Sequence, residues 1–365
     1  MTPPDLNIFS AAAAKLRYFP EHLRGWLDGV AIAPVTLEIQ PSEQCTHRCP
    51  QCQGHLALSR PEGKRRARSG YHLDLNTLSS IWEFPPSGIV LSGNTGDPLM
   101  HPDIGQLFGT LRSRRVPTVL ITNGEFLSPA IAEQALLACR GIRVSLDAHD
   151  AHSFARTHGR RSDVWDKVIE GVANTVRIRA ELGLKRFCRV GVGYLTATST
   201  RVGMVGATEL ARKLGVDYIQ FRPFHYDDTD ITADLAICRD FETDGFRVLA
   251  SDQKYSRISN RDRRYGRCHG AWFYSVIDAR GDMYICCHHV GREEARIGSL
   301  RSHGWRELLA TSERRRVIEG FPRESCVPLC RLHSHNEALE RLARGTDSEV
   351  SAPMVEAIAD HAPFL

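Results

Sequence analysis

The sequence predicts an α/β protein: a parallel sheet of strand–helix units, followed by a smaller region of hairpin and helix. Three observations carry this. Six strand-like runs alternate with helix-like runs between Pro34 and Arg222. Three cysteines (Cys45, Cys49 and Cys52) fill one loop directly after the first run, and four more (Cys268, Cys286, Cys326 and Cys330) surround a hairpin pattern near the C-terminus. Strand–helix alternation is the pattern of parallel sheets, whose crossovers wind in one direction.

The elements follow in order. Residues 1–34 carry one short helix near Glu21–Asp28. Val35–Gln40 is an apolar strand, Leu75–Trp82 a helix and Gly88–Ser92 a strand. Ile104–Arg114, Thr118–Thr122 and Pro129–Ala138 read as helix, strand and helix, then Ile142–Leu146 as strand and Val164–Leu182 as a long amphipathic helix. Cys188–Leu195, Val202–Leu214 and Tyr218–Arg222 complete the series as strand, helix, strand. Residues 35–224 thus form one domain. Beyond Phe224 the alternation stops, and 225–267 is rich in Asp, Arg and Thr, with one helical stretch near Phe241–Ala250. It reads as a linker that also carries substrate contacts. Trp272–Ile277 and Met283–Ile285 then flank Ala279-Arg280-Gly281, a β-hairpin with Gly281 at the turn. A helix at Trp305–Thr311 lies within a domain spanning 268–335, and 336–365 is a tail.

Composition narrows the classes. With 42% apolar and 25% charged residues, the 365-residue chain is an ordinary globular protein. A net charge of +4 is too small to argue for nucleic acid. The basic runs Lys64–Arg68, Arg261–Arg267 and Arg314–Arg316 read as solvated faces. No stretch is long and apolar enough to span a membrane, and the N-terminus lacks the basic-then-apolar pattern of a signal peptide, so a cytoplasmic location is expected. Eleven cysteines in such a chain point to metal or redox chemistry rather than disulfides.

The spacing Cys45-x3-Cys49-x2-Cys52 delivers three thiolates to one loop. A [4Fe–4S] cube is usually held by four, so three ligands leave one iron open for chemistry. A structural zinc site with His47 or His55 as fourth ligand is the main alternative, and unrelated buried thiols are another.

With its triad after the first strand, the sequence resembles the radical S-adenosylmethionine (radical SAM) superfamily. The resemblance implies an open, partial (β/α)6 TIM-like barrel. It also implies a SAM-binding [4Fe–4S] cluster on Cys45, Cys49 and Cys52, whose open iron is chelated by SAM. One-electron cleavage of SAM then gives a 5′-deoxyadenosyl radical that abstracts a substrate hydrogen. The remaining signals fall at strand ends, where such barrels gather their functional groups. Ser92–Pro98 resembles the family's GGEP segment, with Gly93 and Gly96 allowing approach to the SAM amino group and Asp97 in place of the usual Glu. Asn123 follows the third strand. Ser145 and Asp147, after the fourth, are implied ribose contacts, Arg156 a carboxylate contact, and Val192 and Tyr194 an adenine surface. The residue before the third cysteine, commonly aromatic, is Gln51 here.

The Cys268…Gly281-x4-Cys286 hairpin with Cys326-x3-Cys330 resembles the SPASM extension, or its shorter twitch form. Full SPASM domains carry about seven cysteines for two auxiliary clusters; four here imply one auxiliary [4Fe–4S] cluster. The spacing leaves room for Cys287, His333 or His335 to substitute, and a zinc-ribbon-like site is the alternative. Cys139 and Cys188 read as core.

A fully ligated second cluster suggests an electron acceptor. Hydrogen abstraction beside an alcohol, then loss of a proton and one electron, gives a ketone. The expected reaction is oxidation of a secondary carbinol on an aminocyclitol or sugar-like substrate, with Arg222, Tyr226, Asp227 and its neighbour Asp228 as substrate-binding groups. Epimerisation with Cys238 as hydrogen donor is the runner-up, and radical maturation of a ribosomal peptide the rival. The short segment before the first strand disfavours a peptide substrate. A flavodoxin, ferredoxin or reductase is the implied electron donor. A zinc-binding module without catalysis is the remote alternative.

Overall fold

The computed structural model describes residues 15–52, 70–94, 96–258, 262–345 and 363–364. His55, Thr95, Lys64–Arg68 and Arg261 lie outside them.

In chain order the elements are α1 (Pro20–Leu27), β1 (Thr36–Ile39), a 3-10 helix (Leu75–Glu83), β2 (Gly88–Leu91), α2 (Ile104–Arg114), β3 (Thr118–Thr122), α3 (Pro129–Ala138), β4 (Gly141–Ser145), α4 (Ala151–His158) and α5 (Val164–Glu181). They continue with β5 (Arg189–Thr196), α6 (Met204–Lys213), β6 (Tyr218–Pro223), α7 (Thr232–Arg239), β7 (Arg247–Ala250) and α8 (Asp252–Tyr255). The last are β8 (Tyr274–Ile277), β9 (Asp282–Tyr284), β10 (Arg296–Ser299), α9 (Trp305–Ala310), α10 (Ser312–Gly320) and α11 (His333–Ala343). The alternation read from the sequence stands, with boundaries shifted by a residue or two.

The described residues group into two compact units. The first lies within Met1–Ile39, Leu73–Val90 and Asp252–Leu365. There β8 pairs in parallel with β1 and antiparallel with β9, and β9 pairs antiparallel with β10. β1 and β2 are buried at every position, as expected of strands covered on both faces. The C-terminal hairpin is therefore not a free-standing module: it extends the sheet edge that β1 begins. Arg314, expected on a solvated face, is instead fully buried. Its guanidinium donates to the carbonyls of Ile32, Leu309 and Trp272 and lies over the Trp272 ring, which satisfies a charge that burial would otherwise penalise.

The second unit comprises Gln40–His72 and Leu91–Ser251. Its strands run β3–β4–β5–β6–β7, every neighbouring pair parallel. Ser128 caps α3 ahead of Pro129 at the first helical position, and an Asp150–Ser153 capping box starts α4. At the start of β5 and β6, buried Arg179 donates to the Asp217 carboxylate, which also accepts the Val190 N–H at 2.7 Å.

The linker differs from expectation. Its helices are α7 and α8, which lie before and after 241–250, and Arg247–Ala250 is a further parallel strand. Four residues in a polar setting carry too short a pattern to separate strand from helix without a partner; β6 supplies that partner.

Candidate functional site

The cysteine loop leaves β1 and is held by backbone contacts on three sides. Glu43 N–H donates to Tyr71 O at 2.9 Å, Asp97 N–H to Gln44 O at 2.7 Å, and Arg48 N–H to His158 O at 2.8 Å. Two glycines make this approach possible. A Cβ on Gly96 would lie 2.0 Å from the Ser42 carbonyl oxygen, and one on Gly159, which has φ +56°, 2.5 Å from the Arg48 oxygen. The closeness expected of Gly96 toward a ligand is thus already used toward the cysteine loop. Gly93 likewise meets Gly96 backbone.

Cys45, Cys49 and Cys52 are brought together: burial first, then Cys52, Asp147 and Cys45, push the Cys49 thiol well above its ordinary range. Three thiolates at such a place need a compensating cation, which an iron–sulfur cluster supplies, so the donor set fits one. Asn123 Nδ2 donates toward Cys45 Sγ at 3.6 Å, and the Asn94 carbonyl lies 3.7 Å from Cys52 Sγ.

Behind the loop stands a polar chain that sequence reasoning missed. His158 Nε2 donates to the Leu146 carbonyl at 2.7 Å. Its Nδ1 lies 2.9 Å from His47 Nδ1 and 3.6 Å from Cys49 Sγ. His47 Nε2 lies 3.1 Å from Glu125 Oε2, which also accepts from Thr46 Oγ1 at 2.5 Å and Arg160 Nε at 3.2 Å. Burial pushes Glu125 upward, but the bonds from Thr46 and Arg160 prevail and hold it below its usual range. Burial and the facing His158 ring keep His47 well below the ordinary histidine range. His47, weighed as a zinc ligand, is bonded to this chain, and its ring nitrogen, Cys49 Sγ and a His158 ring nitrogen lie within 4.8 Å of one another. Its only local signal was a histidine between two cysteines; Glu125, His158 and Arg160 are remote in sequence.

Asp97 is buried, and its two oxygens accept from Thr122 Oγ1 (2.9 and 3.0 Å), Asn123 N–H (2.7 Å) and Leu99 N–H (2.9 Å). Burial pushes its carboxyl up to about 6. It joins the loop after β2 to the end of β3, a framework contact made with the shorter Asp side chain. Asp147 has φ +45°, rare for a non-glycine residue, and its carboxylate accepts the Leu195 N–H at 2.6 Å. Ser145 is half-buried at the end of β4, and Arg156 is exposed on α4.

Val192 and Tyr194 are fully buried, and Tyr194 donates to Thr200 O at 2.8 Å and packs edge-on to Phe221. The alternation of β5 turns the Tyr194 ring, named above as an implied adenine surface, away from the Gly193 face. On that opposite face, a Cβ on Gly193 would meet Arg143 and Arg222 side chains at 3.4 Å, and Arg143 donates to Gln220 at 2.8 Å. Arg222 is thus a half-buried cation within the β4–β6 face. Asp227 accepts from Thr198 N–H (3.0 Å) and Thr229 N–H (2.9 Å), tying the loops after β5 and β6, while Tyr226 is 38% exposed. Cys238 is fully buried on α7, its thiol bonded to Thr208 of α6. Cys139 and Cys188 are core residues, as expected.

In the first unit, Cys268, Cys286, Cys326 and Cys330 converge. Burial, Cys330 and Cys326 push Cys268 up to about 12, and burial and Cys330 push Cys326 up to about 11. Asn336 Nδ2 donates toward Cys268 Sγ at 3.7 Å. Cys287 is bonded by the Cys286 thiol and the Arg331 guanidinium, so a fifth sulfur adjoins the set. His333 is committed to Tyr265 and Glu337, and His335 is buried beside Lys15 and Arg331.

Comparison with known proteins bears first on the second thiol set. Residues 268–332 match SPASM, an iron–sulfur cluster-binding domain. An AdoMet-dependent heme synthase of Methanosarcina barkeri (strain Fusaro / DSM 804) is 30% identical over 143 residues, 38% of each chain. A UPF0026 protein of Helicobacter pylori (strain ATCC 700392 / 26695) is 25% identical over 37% of this chain and 45% of its own. The chain spans less than half the length of these curated relatives. Among solved structures, Streptococcus suis SuiB bound to S-adenosylmethionine shares the fold at TM-score 0.57 and 14% identity, over 82% of this chain and 72% of its own. The anSMEcpe enzyme with bound AdoMet does so at 0.55 and 16%, over 90% and 99%. These likenesses establish the fold.

Proposed function

We propose that this chain, which has the fold of the radical SAM enzymes and a C-terminal SPASM domain, is a radical SAM oxidoreductase that oxidises a secondary carbinol of an aminocyclitol or sugar-like substrate. Its cofactors are SAM, a [4Fe–4S] cluster held by Cys45, Cys49 and Cys52, and an auxiliary [4Fe–4S] cluster held by Cys268, Cys286, Cys326 and Cys330. When bound, SAM and its cluster would supply radical hydrogen-abstraction chemistry at the carbinol carbon.

The observation that carries an oxidative outcome is the second thiol set. Four sulfurs complete the ligation of a cube, which favours electron acceptance over substrate binding. The chain's own groups then have three tasks. Asn123, Asp97 and the His158–His47–Glu125 chain hold the cysteine loop in place. Asp147 fixes the β4–β5 corner through Leu195. Arg222, with Arg143 and Gln220 beside it, offers the polar face on which substrate hydroxyls are oriented. An external flavodoxin, ferredoxin or reductase supplies the reducing electron. Cys238, committed to Thr208, makes epimerisation with that thiol the weaker reading.

A peptide substrate is the second reading. It is favoured by the fold shared with SuiB bound to its precursor peptide SuiA, TM-score 0.58, and with anSMEcpe bound to AdoMet and the Kp18Cys peptide, TM-score 0.55.

The test is iron and sulfide per chain after anaerobic reconstitution, then incubation with SAM, reductant and a panel of cyclitols, amino sugars and Ser- or Cys-containing peptides. About eight irons and a ketone two mass units below a cyclitol support the proposal. About four irons would remove the auxiliary acceptor, and turnover of peptides alone would replace the substrate class.

A further inference from the structure

At the opposite end of the strands from the cysteine loop, the second unit holds a cavity of about 430 Å³ between the C-terminal ends of α2 and α3 and the segment leading into β5. That volume lies within the range of small-molecule sites, about 300–1,000 Å³. Its floor is apolar, with Leu111, Leu137, Leu184 and Phe187. Its rim is cationic, with Arg112, Arg115 and Arg140.

We propose that this cavity is a second binding site, for a small amphipathic organic anion with an aromatic or aliphatic body and one acidic group. Charge complementarity comes first. The three segments 111–118, 137–141 and 184–189 contain seven basic residues and no acidic one. Arg112, Arg115 and Arg140 are exposed, and none of them has an ion-pair partner among the described residues. Arg140 lies over the Phe187 ring at 4.5 Å, so its guanidinium is already held at the edge of the apolar floor. Attraction to the end of α2 accounts for Arg112, which sits in that helix's last turn. It does not account for Arg140, Lys185 and Arg186, which lie outside helices.

Arg115 adds an independent argument. It occupies the left-handed cap after α2, φ +56°, a position where glycine is favoured because it has no Cβ. Arg115 and Asp147 are the two described non-glycine residues with positive φ, and Asp147 lies in the candidate active site. Holding an arginine where glycine would be less strained places a guanidinium at the cavity mouth. The site is a strand's length from Asn123 and Asp147: β3 enters at Thr118 and leaves at Thr122, on the order of 16 Å along a strand. It is therefore separate from the cysteine loop and does not depend on the function proposed above.

The experiment is isothermal titration calorimetry of the cluster-loaded full chain with 8-anilino-1-naphthalenesulfonate, an aromatic anion of suitable size. One site per chain is expected. Arg115→Gly should weaken it by about tenfold or more while leaving thermal stability unchanged or raised, since glycine relieves the backbone. Leu137→Trp, which fills the floor without altering charge, should abolish it. Binding unchanged in either folded variant, or absent in the parent up to millimolar probe, would overturn the proposal. Should Leu137→Trp fail to fold, Arg115→Gly and Arg140→Ala decide the question alone.

Discussion

The Asp97 carboxylate accepts the Asn123 backbone N–H at 2.7 Å, and the Asn123 side chain in turn reaches Cys45 Sγ at 3.6 Å. One carboxylate thus fixes the residue that touches the first cysteine. Asp97→Asn would turn an amide donor toward N–H groups that now have an acceptor. A loss of about 1–3 kcal/mol in chemical denaturation is expected, with reduced iron retention after reconstitution. Unchanged stability would mean that the loop after β2 relaxes without this bond.

Glu125 gathers Thr46, His47 and Arg160 behind the cysteine loop. Glu125→Gln keeps the shape and removes the charge that Arg160 and the histidine chain are arranged around. The expected result is faster loss of iron on exposure to a chelator, by several fold, with the fold retained by circular dichroism. Glu125→Asp, which keeps the charge, should recover part of that loss.

The two thiol sets should fail differently. Cys49→Ala is expected to lose about four irons per chain and all 5′-deoxyadenosine formation. Cys326→Ala should also lose about four irons, yet cleave SAM uncoupled from substrate oxidation. Chromatography of both products in one assay separates these outcomes, and equal loss of both in Cys326→Ala would give the second set a structural role.

Lys15 is buried, donates to Phe364 O at 2.5 Å, and is pushed down to about 7, first by burial and then by Arg331. The unfolded chain protonates this amine near pH 10.5, but the folded chain does so only near 7. Stability contributed at this site is therefore complete above pH 10.5 and falls as pH drops toward 7. Lys15→Met should raise stability at pH 7 by about 1–4 kcal/mol and flatten the pH slope between 7 and 10.5, measured by urea unfolding at several pH values.

Much of the candidate site was legible because its thiols are local. Cys45, Cys49 and Cys52 lie within eight residues, and a loop that short carries its geometry in its spacing. Strand-end positions such as Asn123, Ser145 and Asp147 follow from the strand–helix alternation itself. Roles were harder to read. Asp97 and Tyr194 look like ligand contacts in one dimension, yet their polar atoms are bonded within the protein. Strand parity sets where the Tyr194 ring points, and the short Asp97 carboxylate reaches Thr122 and Asn123. β7 went unread because four residues acquire strand character only through a neighbour, and Arg314 because a charged run says nothing about three carbonyls that converge on it.

The sequence by itself determined the order of elements and the two cysteine sets, because hydrophobic period and ligand spacing are properties of neighbouring residues. Tertiary structure alone decided the rest. It paired β8 with β1, assembled Glu125, His47 and His158 behind Cys49, and set three arginines around an apolar cavity at the other end of the strands from Cys45, Cys49 and Cys52. These arrangements join segments distant in the chain, and only the packing of strands and helices that buries the core brings such segments within hydrogen-bonding reach.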